Sequence, residues 1–287
     1  MSFRSTPLPL DAATREREYA PSSVTGGTWL PFKARYEDES ARAWQTVPGR
    51  RDLRYGEAPR ATLDFFPAPA GATQPGLLVY IHGGYWQELS KTESAWLAPA
   101  WHAAGFAHAV VGYTLAPDAT VPRIVAECRA AIAWLHAHAA SLGFDPASVV
   151  VAGSSAGGHL AAACADRSAV PVRGIVAVSG VYDVAPLIGT SINDALGLDA
   201  ATAAALDLFA PERHFVPAVV AWGEIETTEF KRQSRDFAAR LVHEGTPCEA
   251  LEVPGRNHFD VILDLGNPDA ALFAAACRLF ARSARPA

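Results

Sequence analysis

Five residues, Gly153-Ser154-Ser155-Ala156-Gly157, constrain this chain more than any other feature. They follow the apolar run Ser148-Val149-Val150-Val151-Ala152 and precede Gly158 and the helix-forming stretch His159 to Ala165. Strand, Gly-x-Ser-x-Gly, helix describes a turn too tight for a side chain two residues before or after the serine. Such a turn holds the serine strained, with its Oγ exposed at the end of a sheet. The spacing selects Ser155 rather than Ser154. The pattern alone arises by chance in a chain rich in Gly and Ala; the flanking strand and helix set it apart from an ordinary turn.

From residue 61 onward, strand and helix patterns alternate around that motif. Ala61 to Phe66, Leu77 to His82, Phe106 to Tyr113, Val172 to Val178, Phe215 to Trp222 and Cys248 to Val253 read as strands. Ser90 to Gly105, Pro122 to Leu142, Glu229 to His243 and Pro268 to Arg282 read as helices, with Gly105 and Gly143 as stops. The alternation predicts an α/β domain over 61–287, a mostly parallel sheet covered by helices on both faces. The Ala-rich stretch of about 184–211 reads as a small cap between strands. Residues 1–60 are rich in Pro, Arg and Glu without strand periodicity, and read as an N-terminal extension packed on the body. In such a sheet, ligands bind at the carboxyl ends of the strands.

Bulk properties narrow the partners. Half of the 287 residues are hydrophobic and 19% are charged, which suits a globular enzyme with a sizeable core. A net charge of −6 disfavours nucleic acid and anionic membranes, so the expected partner is a small-molecule substrate, with a homodimer as candidate assembly. No apolar run approaches the roughly 20 residues that span a bilayer, and Met1 to Tyr19 contain no signal-like apolar core. Cys128, Cys164, Cys248 and Cys277 are scattered without metal spacing, and read as reduced thiols in a cytoplasmic protein. No HExxH occurs among the nine histidines, and His136 and His138 sit two apart on different faces of a helix. Neither metal nor cofactor is expected.

A serine hydroxyl needs a base, and the base needs an orienting carboxylate. After His159, the histidines are His214, His243 and His258. Only His258 follows the last strand in a loop able to swing over the sheet end, and it is the candidate base. The carboxylate belongs after strand 215–222, where Glu226 is the first candidate, Glu224 the second and Asp183, one strand earlier, the third. Glu229 reads as the start of a helix, where it favours the dipole. Backbone N–H groups for a tetrahedral oxyanion come from Ala156 and from the loop Gly83-Gly84-Tyr85, whose glycines let the backbone approach a substrate. His82 reads as a fixing group for that loop and His159 as structural. Trp86 and Trp222, with Tyr85, are candidates for an aromatic substrate wall.

His82-Gly83-Gly84-Tyr85-Trp86, Gly153 to Gly158, Glu229 to Ser234 and Asn257-His258-Phe259-Asp260 together resemble the kynurenine formamidase (arylformamidase) group. Glu18-Tyr19-Ala20-Pro21-Ser22 is similar to the opening motif of that group, so the resemblance covers nearly the whole chain. It implies an α/β-hydrolase fold and a triad of Ser155, His258 and Glu226. It also implies an oxyanion hole from the N–H groups of Gly84, Tyr85 and Ala156. The expected reaction is hydrolysis of an arylformamide such as N-formyl-L-kynurenine, with broad-specificity carboxylesterase as the alternative. One departure stands out: animal members of the group carry aspartate where this chain has Glu226. The longer arm must fold back, or the strand must end earlier.

Overall fold

The structure is a computed structural model and describes Ser5 and residues 10–166 and 170–281. Eight strands form one sheet in the order β1-β2-β4-β3-β5-β6-β7-β8. They are β1 (Arg50–Arg54), β2 (Thr62–Phe66), β3 (Leu77–Ile81), β4 (Ala107–Val111), β5 (Val149–Ser154), β6 (Gly174–Val178), β7 (Ala218–Ile225) and β8 (Cys248–Asn257). β2 pairs antiparallel with β1 and with β4, and every other pairing is parallel. The mostly parallel α/β architecture matches the alternating pattern in the sequence.

The helices are α1 (Ala12–Glu18), α2 (Leu30–Thr46), α3 (Ala98–Ala103), α4 (Val121–Leu142), α5 (Ala156–Cys164), α6 (Asn193–Leu196), α7 (Ala200–Leu206), α8 (Thr228–His243) and α9 (Ala271–Ala281). Alternate residues of β3 explain how they cover the sheet. Leu77, Val79 and Ile81 face a core shared with α4, α5 and α8, while Leu78 and Tyr80 face one shared with α2, α3 and α9. A strand buried on both faces has no polar side, which is why the central strands read as continuous apolar runs.

Several boundaries differ from the sequence reading, among them that of β8, which runs on to Asn257 through residues read as a loop before His258. Arg50–Arg54 is an edge strand, although it lies within the stretch read as extension. Its four charged residues and one leucine are mostly exposed, so no alternation marked it. Residues 90–105 divide into a 3-10 segment, Lys91–Leu97, and α3. β7 begins three residues later than expected, after Pro217, which has no N–H to give to a ladder, and runs on to Ile225. The final helix is described as far as Ala281; Arg282 lies outside the described residues. Between β6 and β7 lie the short helices α6 and α7.

Candidate active site

The turn at Ser155 has the geometry its sequence requires. Ser155 sits at φ 58° and ψ −124°, between the end of β5 and the first turn of α5. A Cβ on Gly153 would lie 2.1 Å from the Gly157 carbonyl oxygen, and one on Gly157 would lie 2.1 Å from that of Ile81. Neither backbone can retreat, because β3 and β5 are neighbouring strands of the sheet and α5 packs against them. Glycine at these two positions is therefore a steric requirement. Ala156 is the first residue of α5, so its N–H has no partner within the helix.

The loop after β3 lies against this turn. A Cβ on Gly83 would meet the Ser154 carbonyl oxygen at 2.6 Å and the Ser155 Cβ at 3.2 Å. Gly84, Tyr85 and Trp86 follow at φ 88°, 48° and 58°, three left-handed residues in a row. The Gly84 carbonyl accepts from both Gln87 and Glu88 N–H groups at 2.9 Å, closing a tight left-handed turn. Two of these residues are not glycine, so the turn carries strain that its surroundings must hold. His82 helps to hold it. Its Nδ1 donates to the Gly83 carbonyl at 3.0 Å, and its ring stacks on Tyr113, whose hydroxyl donates to the His82 carbonyl at 2.9 Å. Burial pushes the His82 pKa down to about 4. The same cause takes His159, whose Nε2 faces the Leu206 carbonyl at 3.2 Å, to about 4. Both rings are thus neutral, buried and engaged with backbone.

His258 and Glu226 meet at the far ends of β8 and β7. His258 Nδ1 lies 2.9 Å from Glu226 Oε2. Glu226 Oε1 accepts from the Ser179 hydroxyl and from the Gly223 N–H, each at 2.6 Å. The bond to Gly223 reaches back three residues, so the longer arm of glutamate does fold back. A bulge between Gly223 and Ile225 in the β7–β8 pairing accompanies it. Because a carboxylate that accepts two other donors accepts here too, Nδ1 is the donor of this bond, and Nε2 is the ring nitrogen not engaged by Glu226. The His258 ring is steadied by Phe230, edge-on with centroids 4.4 Å apart.

The other carboxylate candidates lie elsewhere. Glu224 is exposed and accepts from the Gly255 N–H at 2.8 Å. Asp183 accepts from the Ala185 N–H at 3.1 Å as a turn cap. Ser179 was not foreseen; its signal is its place just past β6, next to the strand that carries Glu226.

Ser155 and His258 line one cavity of about 360 Å³, together with Gly83, Gly84 and Tyr85. Its aromatic wall includes the expected Tyr85 but neither expected tryptophan. Trp86 is fully buried and lies edge-on to His159 with centroids 5.3 Å apart, away from the cavity. Trp222 is buried beneath the Arg235 guanidinium, 5.8 Å above its ring. Trp86 follows a left-handed run that turns its indole into the core, and Trp222 lies inside β7 rather than at its end. The wall is built from Tyr19, Trp29, Tyr36, Tyr80, Tyr85 and Phe259 instead. Three of these, Tyr19, Trp29 and Tyr36, come from the N-terminal segment, where only Tyr19 lay in a motif legible in the sequence. Among the described residues, no group of three or more His, Cys, Asp or Glu is arranged to hold a metal, and no helix is long and apolar enough to cross a membrane.

Comparison with known proteins agrees with this architecture. The BD-FAE family matches residues 63–192, from β2 through the Ser155 turn into the segment between β6 and β7. The crystal structure of esterase LipW from Mycobacterium marinum superposes with a TM-score of 0.64 at 23% identity, covering 91% of this chain and 87% of that one. A Silicibacter sp. TM1040 protein of proposed thioesterase activity superposes with a TM-score of 0.79 at 28% identity, covering 91% and 98%. The fold is thus that of an α/β-hydrolase in the esterase group, and the chain is a hydrolase. Kynurenine formamidase of Salmo salar is 30% identical over 234 residues, 76% of this chain and 77% of that protein. The chain belongs to the kynurenine formamidase family.

Proposed function

We propose that the protein is a serine hydrolase that cleaves arylformamides such as N-formyl-L-kynurenine to the free amine and formate. The observation that carries this reading is that His258, bonded to Glu226 behind it, lines the same cavity as the strained Ser155. In the proposed mechanism, Ser155 Oγ attacks the formyl carbon while His258 Nε2 takes its proton. The oxyanion is met by N–H groups of Gly84, Tyr85 and Ala156, each donor worth about 3 kcal/mol of barrier. Glu226 stabilises the imidazolium, which then protonates the departing aryl amine. Water then attacks the formyl carbon and gives a proton to His258, which passes it to Ser155 Oγ as the C–Oγ bond breaks and formate leaves. An aryl amine leaves more readily than an alkyl amine, and the aromatic wall suits an aryl leaving group.

Carboxylesterase activity is the second reading. The same machinery cleaves esters, and the Silicibacter relative of proposed thioesterase activity points that way. Measuring kcat/KM for N-formyl-L-kynurenine and for a short-chain 4-nitrophenyl ester on the same preparation tests both. The formamide is expected to be the better substrate. Turnover of the ester with none of the formamide would overturn the first reading in favour of the second.

A further inference from the structure

The N-terminal segment touches each loop that bears on the proposed chemistry. On the base side, the Tyr36 hydroxyl in α2 donates to the carbonyl of Phe259, the residue after His258. The Phe259 ring is stacked by Phe32 and Trp29, with centroids 5.3 and 6.3 Å away. On the acid side, the Thr227 hydroxyl donates to the Glu18 carbonyl at 2.6 Å, and the Tyr19 hydroxyl to Glu229 Oε2 at 2.9 Å. On the oxyanion side, the Tyr85 hydroxyl donates to the Tyr19 carbonyl at 2.5 Å. This last bond falls on a residue whose own φ is 48°, so it restrains a backbone that would otherwise relax.

We propose that this segment positions the reacting groups through two phenol hydroxyls, Tyr36 holding the His258 loop and Tyr85 holding the oxyanion loop. The inference rests on the assignment of Ser155 and His258 given above. Burial raises both phenols well above their usual pKa, so each remains a donor across the working pH range. The Tyr36 hydroxyl is spent on the Phe259 carbonyl and acts on the reaction through His258. Loss of either hydroxyl frees a loop by a fraction of an ångström, and misplacement on that scale is costly in rate.

The test is the rate at which diisopropyl fluorophosphate labels Ser155, read by mass spectrometry, in wild type, Tyr36→Phe and Tyr85→Phe. Phenylalanine keeps the ring packing and removes only the hydroxyl. Each variant is expected to label about tenfold more slowly, with kcat reduced by the same factor and KM within about twofold. Thr46→Val removes a hydroxyl that bonds only within α2, and is expected to leave labelling unchanged. Thermal midpoints measured alongside separate positioning from stability. Equal labelling rates in wild type and both phenylalanine variants overturn the inference. So does a slow rate that recovers fully on cooling below a lowered midpoint, because the bonds then only stabilise the fold. If wild type carries no label on Ser155, the nucleophile assignment fails and the inference fails with it.

Discussion

At Glu226 the backbone accommodates a side chain one methylene longer than aspartate. The strand bulges, and the carboxylate returns to the Gly223 N–H while its other oxygen meets His258. Glu226→Gln keeps the shape but replaces an acceptor with an amide whose N–H₂ opposes the imidazole N–H. It should lower kcat by roughly ten-thousand-fold in a steady-state assay. Activity within tenfold of wild type would remove Glu226 from the mechanism. Ser155→Ala should lose roughly five orders of magnitude while the thermal midpoint stays near wild type or rises, since a strained polar residue is replaced by a smaller one. The sequence pointed to Ser155, His258 and Glu226 because each follows a strand whose pattern is plain. It misjudged Trp86 and Trp222 because their neighbours in sequence are site residues. Where an indole turns depends on φ values and bulges, which residue type alone does not encode.

Between elements, the closest approaches decide which substitutions the fold tolerates. β5, α5 and the end of β3 meet at Gly153 and Gly157, where a Cβ would overlap a carbonyl oxygen of α5 or of β3. Gly157→Ala should therefore destabilise the protein by several kcal/mol, seen as a lower urea midpoint or loss of soluble expression. An unchanged midpoint would mean that α5 can shift. A different constraint joins β2 to the 3-10 segment Lys91–Leu97, which follows β3. Asp64 is 1% exposed and lies 2.5 Å from Lys91 Nζ, which also reaches Asp52 at 2.8 Å. Lys91→Met leaves that carboxylate buried and unpaired, a loss of about 3–5 kcal/mol in denaturant unfolding, and Asp64→Asn in the same chain should restore part of it. The edge strand β1 was illegible for a related reason. Its residues are chosen for solvent and for charge pairs, and a strand with one apolar residue has no period to read.

Across the whole molecule, burial of neutral imidazoles couples folding to pH. His82 and His159 are taken to about 4, and His108, within β4, to about 3. Each lies below the ordinary value near 6.5, so the unfolded chain binds more protons in acid. The contribution is complete above about pH 6.5 and is lost as pH falls from there toward the folded values. By pH 5 this amounts to about 2 kcal/mol per histidine. The thermal midpoint should fall steadily between pH 7 and pH 5, before most carboxylates titrate. In His108→Phe the fall should be smaller; a fall of equal size would show that His108 stays protonated when folded.

The segment that touches all three loops also leaves the ribosome before any of them. Tyr36 is synthesised 223 residues ahead of Phe259, its partner. Through most of translation, Tyr19, Trp29 and Phe32 therefore have nowhere to dock, and their aromatic surface must be tolerated or shielded. A nascent chain stalled before residue 259 would hold a finished Ser155 turn and an unclosed cavity. Hydrolytic competence is then acquired late and all at once, not strand by strand.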